Sequence, residues 1–262
     1  MNTVIDDPRT VNPAIVSRDR WLAERKTLLA REKELTRLHD QIAHERRALP
    51  WVRIEKPYVF DGPAGRRTLA ELFEGRRQLV VQHFMFAPGW EQGCPSCSYM
   101  ADHIDGATAH LAQRELTLAV VSRAPLADIE RFRQRMGWRF TWVSSFGSEF
   151  NHDFGVNFTL EELAQGEVDY NYTRQAFPVE EAPGISVFCK DDAGDVFHTY
   201  STYGRGVELM MGAYALLDLT PRGRDEDALS HTMAWVRHHD RYEPAARAAA
   251  APVAASCCAA RA

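Results

Sequence analysis

The sequence is poor in cysteine and has neither a long apolar run nor an excess of basic residues. Its 262 residues include five cysteines, an odd and sparse number that argues against the disulfide framework of a small secreted protein. No stretch reaches the roughly 18 apolar residues of a membrane-spanning helix, and the N-terminal segment does not follow the pattern of a signal peptide. The net charge of -5 gives no basis for binding nucleic acid or an anionic membrane. We therefore expect a cytoplasmic protein with neither of those partners.

A long amphipathic helix is predicted near the N-terminus, over residues 17–50. Pro50 ends the pattern, in which apolar residues recur every seven positions, at Trp21, Leu28, Leu35, Ile42 and Leu49. One face of such a helix must be buried. We expect it to pack on its own domain, with the seam of a homodimer as the alternative.

Three further segments complete the predicted organisation. Residues 1–16 are polar and predict a flexible lead, and residues 243–262 predict an alanine-rich flexible tail that holds Cys257 and Cys258. Residues 51–242 predict one folded domain that ends in a C-terminal helix over Asp225–His238. The enrichment of residues 146–180 in Phe, Tyr and Asn predicts an irregular stretch.

Strands alternate with helices along the domain. Nearly continuous apolar character predicts buried strands over Gln78–Phe86 and Leu116–Ser122, each followed by a helical pattern. Further strands are predicted at Tyr58–Phe60, Phe140–Val143, Ile185–Cys189 and Val196–Tyr200, and further helices at Thr68–Phe73 and Val207–Leu219. This order predicts an α/β sheet flanked by helices on both faces.

The segment Gly93-Cys94-Pro95-Ser96-Cys97 lies where a predicted strand passes into a helix. Unpaired N–H groups and the helix dipole stabilise an anion there, so a thiolate is favoured at the first cysteine. We therefore predict Cys94 as the nucleophile and Cys97 as the thiol that resolves a mixed disulfide. Pro95 suits the first helical position because it has no N–H that needs a partner.

Other residues near the dithiol are candidates for tuning it. Trp90 is expected to shield one flank of the pair. Asp102 is expected either to compensate the helix dipole or to accept a proton. Arg123 follows a buried strand, where it either reaches the site or is a solvated charge. Aromatic residues are expected in the core, with some walling a substrate pocket over the dithiol, namely Trp138, Trp142, Phe146, Phe150 and Phe154.

Metal binding is the alternative use of a CxxC pair. A structural zinc site needs four ligands, and the sequence has no second CxxC outside the tail. His238 and His239 lie far along the chain and are expected to be a surface pair. We therefore predict no metal and no bound cofactor, although an inert thiol pair on a non-catalytic scaffold stays open.

Several segments together carry a resemblance to a known family. They are QLVVQHFMF, GCPSCS, VSRAPL, RMGW, FNHDFGVNF, HTYSTYGRG and HHDRY, in this order between Trp21 and Tyr242. The chain resembles the thioredoxin-like family of predicted dithiol–disulfide oxidoreductases known as domain of unknown function 899. The resemblance implies a thioredoxin-like, peroxiredoxin-related sheet with a long N-terminal helix and a C-terminal helical extension.

The resemblance also implies Cys94 and Cys97 as the active pair, acting on an unknown disulfide substrate and reset by a cellular thiol reductant. Pro183 stands near the position of the cis-proline that faces the dithiol in thioredoxins. A thiol peroxidase is the second enzymatic alternative, in which Cys94 attacks a peroxide. The Thr that peroxiredoxins carry before their reactive cysteine is absent here.

Overall fold

The computed structural model describes residues 14–243. The predicted lead up to residue 13 and the tail from residue 244, with Cys257 and Cys258, lie outside the described residues. Within the described part, no helix is both long enough and apolar enough to cross a membrane.

Helix α1 spans Arg18–Arg47, and Ser17 caps its N-terminus by accepting a hydrogen bond from the Arg20 amide at 3.4 Å. No residue of α1 is buried, and Leu28 and Leu35 are each 55% exposed. The expectation that α1 packs its apolar face on its own domain is therefore wrong. Pro50 turns the chain away, and near the helix end the Arg46 guanidinium lies over the Tyr200 ring at 5.3 Å.

One mixed sheet organises the domain. Its strands are β1 (Val52–Arg53), β2 (Val59–Gly62), β3 (Gly65–Thr68), β4 (Gln78–His83), β5 (Leu116–Ser122), β6 (Thr141–Ser144), β9 (Gly184–Lys190) and β10 (Val196–Tyr203). They lie in the order β1-β10-β9-β4-β5-β6-β2-β3, with β4, β5 and β6 parallel and the remaining neighbours antiparallel. A small separate hairpin pairs β7 (Val168–Tyr170) with β8 (Thr173–Gln175).

Helices connect and cover the strands. They are α2 (Pro95–Ile104), α3 (Thr108–Ala112), α4 (Leu126–Met136), α5 (Phe150–Asp153), α6 (Leu160–Ala164) and α7 (Gly212–Leu217). Short 3₁₀ helices occupy Glu71–Phe73, Asp105–Ala107, Gly204–Met210 and His239–Arg241. The parallel units β4-α2-β5 and β5-α4-β6, joined to the β9-β10 hairpin, form the predicted α/β, thioredoxin-like sheet flanked by helices. The fold prediction is therefore confirmed.

The central strand β4 is covered on both faces, as its apolar run predicts. Leu79 and Val81 belong to one core, while Val80 packs against the other. The second of these cores lies under α2 and α4 and contains Cys97. The cysteine pair is thus anchored in a packed interior rather than on a free loop.

The predicted helix over Asp225–His238 is wrong. The chain forms turns there, and Asp225 and Met233 have positive φ values of 52° and 68°. The carboxylate of Glu226 accepts hydrogen bonds from Tyr214 Oη at 2.7 Å, Met233 N at 3.1 Å and Trp235 Nε1 at 2.6 Å. These bonds gather the segment around one half-buried acceptor. The C-terminal helical extension therefore consists of the 3₁₀ helix Gly204–Met210, α7 and the 3₁₀ helix His239–Arg241.

Candidate redox site

Cys94 and Cys97 stand at the start of α2, in the connection that follows β4. Cys94 is the N-cap residue and Pro95 is the first residue of the helix. The backbone of Met85 contacts both cysteines, because its carbonyl accepts from Cys94 N at 3.0 Å and its amide donates to Cys97 Sγ at 3.5 Å. A single residue, Met85, thereby holds both ends of the CxxC motif.

Close packing fixes Gly93, the residue before Cys94. A Cβ at Gly93 would lie 2.5 Å from Phe84 Cε1 and 3.0 Å from Phe132 Cε1, so only glycine fits. The Gly93 carbonyl accepts a hydrogen bond from His238 Nε2 at 2.8 Å. Glycine at position 93 therefore allows the rings of Phe84 and Phe132 to pack directly against the backbone.

The pKa values of the two thiols are shifted in opposite directions. The Cys97 thiol donates a hydrogen bond to Cys94, and the backbone N–H groups of Cys97 and Ser96 also stabilise the Cys94 thiolate. Together these hydrogen bonds outweigh the effect of burial and lower the pKa of Cys94 to about 7. The same hydrogen bond, together with burial, raises the pKa of Cys97 well above its usual value. Cys94 is partly exposed and Cys97 is 2% exposed. At neutral pH the accessible sulfur is thus the one that carries thiolate.

An apolar cavity of about 220 Å³ lies beside the two cysteines. Met85, Met100, Met211 and Met233 line it together with Pro183. The expected aromatic wall over the dithiol is wrong, because Trp138, Trp142, Phe150 and Phe154 belong to the cores and Phe146 is 55% exposed.

The structure separates the predicted flanking residues. Trp90 is half-buried against the core that holds Cys97. Pro183 lines the cavity, and within residues 14–243 every peptide bond, including the one before Pro183, is trans. Arg123 is not a solvated charge, because its Nη1 lies 2.8 Å from Glu181 Oε1.

Asp102 lies in the last turn of α2 and not near its start. A carboxylate there opposes the helix dipole. Its Oδ1 instead accepts hydrogen bonds from Trp138 Nε1 at 2.8 Å and His239 Nδ1 at 2.7 Å. The expectation of a helix-dipole partner is therefore wrong, and Asp102 ties α2 to the C-terminal segment.

Glu181 is a site residue that the sequence analysis missed. It is 1% exposed, and burial raises its pKa to about 7 although Arg123 opposes that shift. Its charge contributes to the raised pKa of Cys97. The only signal in the sequence is its place two residues before Pro183.

His238 is the second missed residue, and the expectation that it lies on the surface is wrong. It is 6% exposed, and burial lowers its pKa, which keeps the ring neutral. Since the Gly93 carbonyl can only accept, Nε2 carries the proton, and Nδ1 accepts from Arg135 Nη2 at 3.3 Å. Arg135 also binds Asp240 through two bonds of 2.8 Å and Gln92 at 2.9 Å. The C-terminal turn is thus fastened to the cysteine loop.

The side chains around the cysteines are not grouped as the ligands of a metal site. Among residues 14–243, no group of three or more His, Cys, Asp or Glu side chains is arranged to hold a metal ion. Glu181, whose charge acts on Cys97, is paired with Arg123.

The chain belongs to the family described as bacterial proteins of unknown function (DUF899), which matches residues 10–242. No curated protein sequence matches it significantly. Peroxidoxin BcpB from Mycobacterium tuberculosis is similar in structure, with a TM-score of 0.45 and 13% identity, over 63% of this chain and 97% of that one. Peroxiredoxin Q from Xanthomonas campestris has a TM-score of 0.43 and 12% identity, over 63% of this chain and 95% of that one.

Proposed function

We propose that this member of the DUF899 family is a thiol–disulfide oxidoreductase that uses Cys94 as nucleophile and Cys97 as resolving thiol. One observation carries the proposal. The hydrogen bond between the two sulfurs lowers the pKa of the accessible thiol to about 7 and raises that of the buried one. Such an asymmetry assigns attack to one sulfur and resolution to the other.

The reaction proceeds in two exchanges. The Cys94 thiolate attacks one sulfur of a substrate disulfide, forms a mixed disulfide and expels the other half as a thiolate that takes up a proton. Forming this bond removes the negative charge on Cys94. The Cys97 thiol then gives its proton to solvent, and its thiolate attacks Cys94 Sγ. The bond between Cys94 and the substrate breaks, and the second half of the substrate leaves as a thiolate that takes up a proton. Two electrons have passed from the dithiol to the substrate.

Regeneration requires a thiol reductant, which reduces the Cys94–Cys97 disulfide by the same chemistry in reverse. This need favours a reducing compartment, and the cytoplasm is our proposed location.

Alkylation at increasing pH tests the proposal directly. The reduced protein is treated with iodoacetamide, and each cysteine is followed by peptide mass spectrometry. We expect Cys94 to react with an apparent pKa near 7, and Cys97 to react slowly throughout. A pKa of Cys94 near that of a free thiol, about 8.5, would contradict the mechanism.

Two substitutions separate the alternatives. Cys97→Ser is expected to accumulate a mixed disulfide on Cys94, whereas Cys94→Ser is expected to abolish exchange. A Cys94→Ser variant that matches the wild type in every thiol assay would support a non-catalytic scaffold instead. Rapid conversion of Cys94 to sulfenic acid by hydrogen peroxide, without exchange on disulfides, would support the peroxidase.

A further inference from the structure

The cavity beside the dithiol has walls that are almost entirely apolar. Its apolar wall residues are Met85, Met100, Pro183, Val207, Met211 and Met233, and the polar side chains beside them are Ser96, Arg205, Glu208 and Thr232. Methionine side chains are flexible and polarizable, so they adapt to apolar groups of different shape. A cavity of about 150 Å³ with apolar walls binds benzene. The volume here, about 220 Å³, therefore holds one ring or a branched alkyl group.

The charges at the cavity are already compensated. Among residues 14–243, the ionisable side chains that line it besides the two cysteines are Arg205 and Glu208. Glu208 Oε1 lies 2.8 Å from Arg205 Nε, and its Oε2 lies 2.8 Å from Arg224 Nη1. Both carboxylate oxygens are thus engaged by cations. The Arg205 side chain is 85% exposed and binds Glu208 through Nε, so its charge is largely in solvent and not inside the apolar space.

We propose that the cavity binds an uncharged apolar group of the substrate, so that Cys94 reacts with disulfides in which one sulfur carries a compact aryl or branched alkyl group. This inference rests on the proposed function and adds the substrate class. A substrate with carboxylates next to its sulfur would lose hydration against the methionine walls, and the cation that lines the cavity, Arg205, is largely in solvent. The methionine walls therefore select against highly charged small disulfides.

Methanethiosulfonates test the selectivity because they transfer different groups by one chemistry. The Cys94 thiolate attacks the sulfenyl sulfur, a disulfide forms between Cys94 and the transferred group, and methanesulfinate leaves with the electron pair. The probes are benzyl methanethiosulfonate and its 2-sulfonatoethyl analogue. The rate of loss of the Cys94 thiol is measured for each, and each rate is divided by that of 2-mercaptoethanol with the same reagent.

We expect the normalised rate for benzyl to exceed that for 2-sulfonatoethyl by about ten- to a hundredfold, the factor associated with burying one aromatic side chain. The Met233→Gln variant makes one wall polar at nearly constant size and is expected to reduce this ratio severalfold. The matched control is Met210→Gln, since Met210 packs against the same core without lining the cavity. It is expected to leave the ratio unchanged.

The two proposals fail in different ways. If Cys94 reacts rapidly with an apparent pKa near 7 but the normalised ratio is close to one, the apolar substrate class is wrong and the dithiol mechanism stands. If Met210→Gln lowers the ratio as much as Met233→Gln, the cavity is not the origin of the selectivity, and the inference is overturned. If Cys94 reacts slowly with both reagents at neutral pH, both proposals are refuted.

Discussion

Glu181 is a buried carboxyl group that couples the stability of the fold to pH. Burial raises its pKa from the usual 4.5 to about 7, against the effect of Arg123. A group with a raised pKa in the folded state holds its proton there after the unfolded chain has released it. Its contribution to stability is therefore fully present below about pH 4.5 and is lost as pH rises through about 7.

The size of this effect follows from the two pKa values. The difference between 4.5 and about 7 corresponds to about 3 kcal/mol of unfolding free energy. A Glu181→Gln variant keeps the shape and an oxygen that accepts from Arg123, but it does not titrate. We therefore expect the stability of the wild type relative to this variant to fall by about 3 kcal/mol between about pH 4 and pH 8.

Urea denaturation at a series of pH values measures the difference. Glu180→Gln is the matched control, because it removes the adjacent, half-buried carboxylate and leaves Glu181 in place. Its difference from the wild type is expected to vary much less over the same range, because burial raises the pKa of Glu181 more than the charge of Glu180 does. If the curves of the wild type and of Glu181→Gln run parallel at all pH values, then Glu181 titrates normally in the fold and the reasoning is refuted.

Three further predictions concern the site and α1. Cys97→Ala removes the hydrogen bond that stabilises the thiolate, so the pKa of Cys94 is expected to rise above about 7 in the alkylation assay. Gly93→Ala places a Cβ 2.5 Å from an aromatic carbon, and we expect a loss of about 1–3 kcal/mol in urea denaturation. The exposed apolar stripe of α1 predicts a homodimer in light scattering, and Leu35→Lys is expected to weaken it without unfolding the domain.

Matched variants decide whether these effects are specific. Cys189→Ala also removes a thiol, but one outside the site, and is expected to leave the pKa of Cys94 unchanged. Gly106→Ala meets no atom within 4 Å and is expected to cost far less than Gly93→Ala. A wild-type protein that is monomeric at all concentrations would contradict the homodimer. Equal destabilisation by both glycine variants would contradict the packing argument.

Local sequence patterns predicted the frame of the fold. The strand Leu116–Ser122 agrees residue for residue with β5, because its apolar run is bounded by polar residues and covered on both faces. Pro95 at the first position of α2 acts locally, and its place was predicted from the sequence. Periodicity failed where a tertiary partner decides the conformation, as with Glu226 and the turns around Met233.

The chemistry of the dithiol depends on residues whose partners are remote in sequence. The CxxC spacing identifies Cys94 and Cys97, and the helix start accounts for part of the stabilised thiolate. Glu181 acts on Cys97 only because the chain segment before β9 returns beside α2, and no local pattern indicates that a carboxylate there is buried. The sequence therefore predicts the position of the cysteine pair, whereas the fold determines the pKa values of its two thiols.

The hydrogen bond from His238 to the Gly93 carbonyl is a second example of a contact that depends on the fold. The hydrogen bond joins residues 145 positions apart and holds the carbonyl just before the nucleophile. It is supported by Arg135, which joins α4, the cysteine loop and the C-terminal turn. The same C-terminal region supplies Met233 to the cavity wall. The segment after β10 is thus a structural part of the candidate site, because it holds the loop that carries Cys94 and supplies one wall of the cavity beside it.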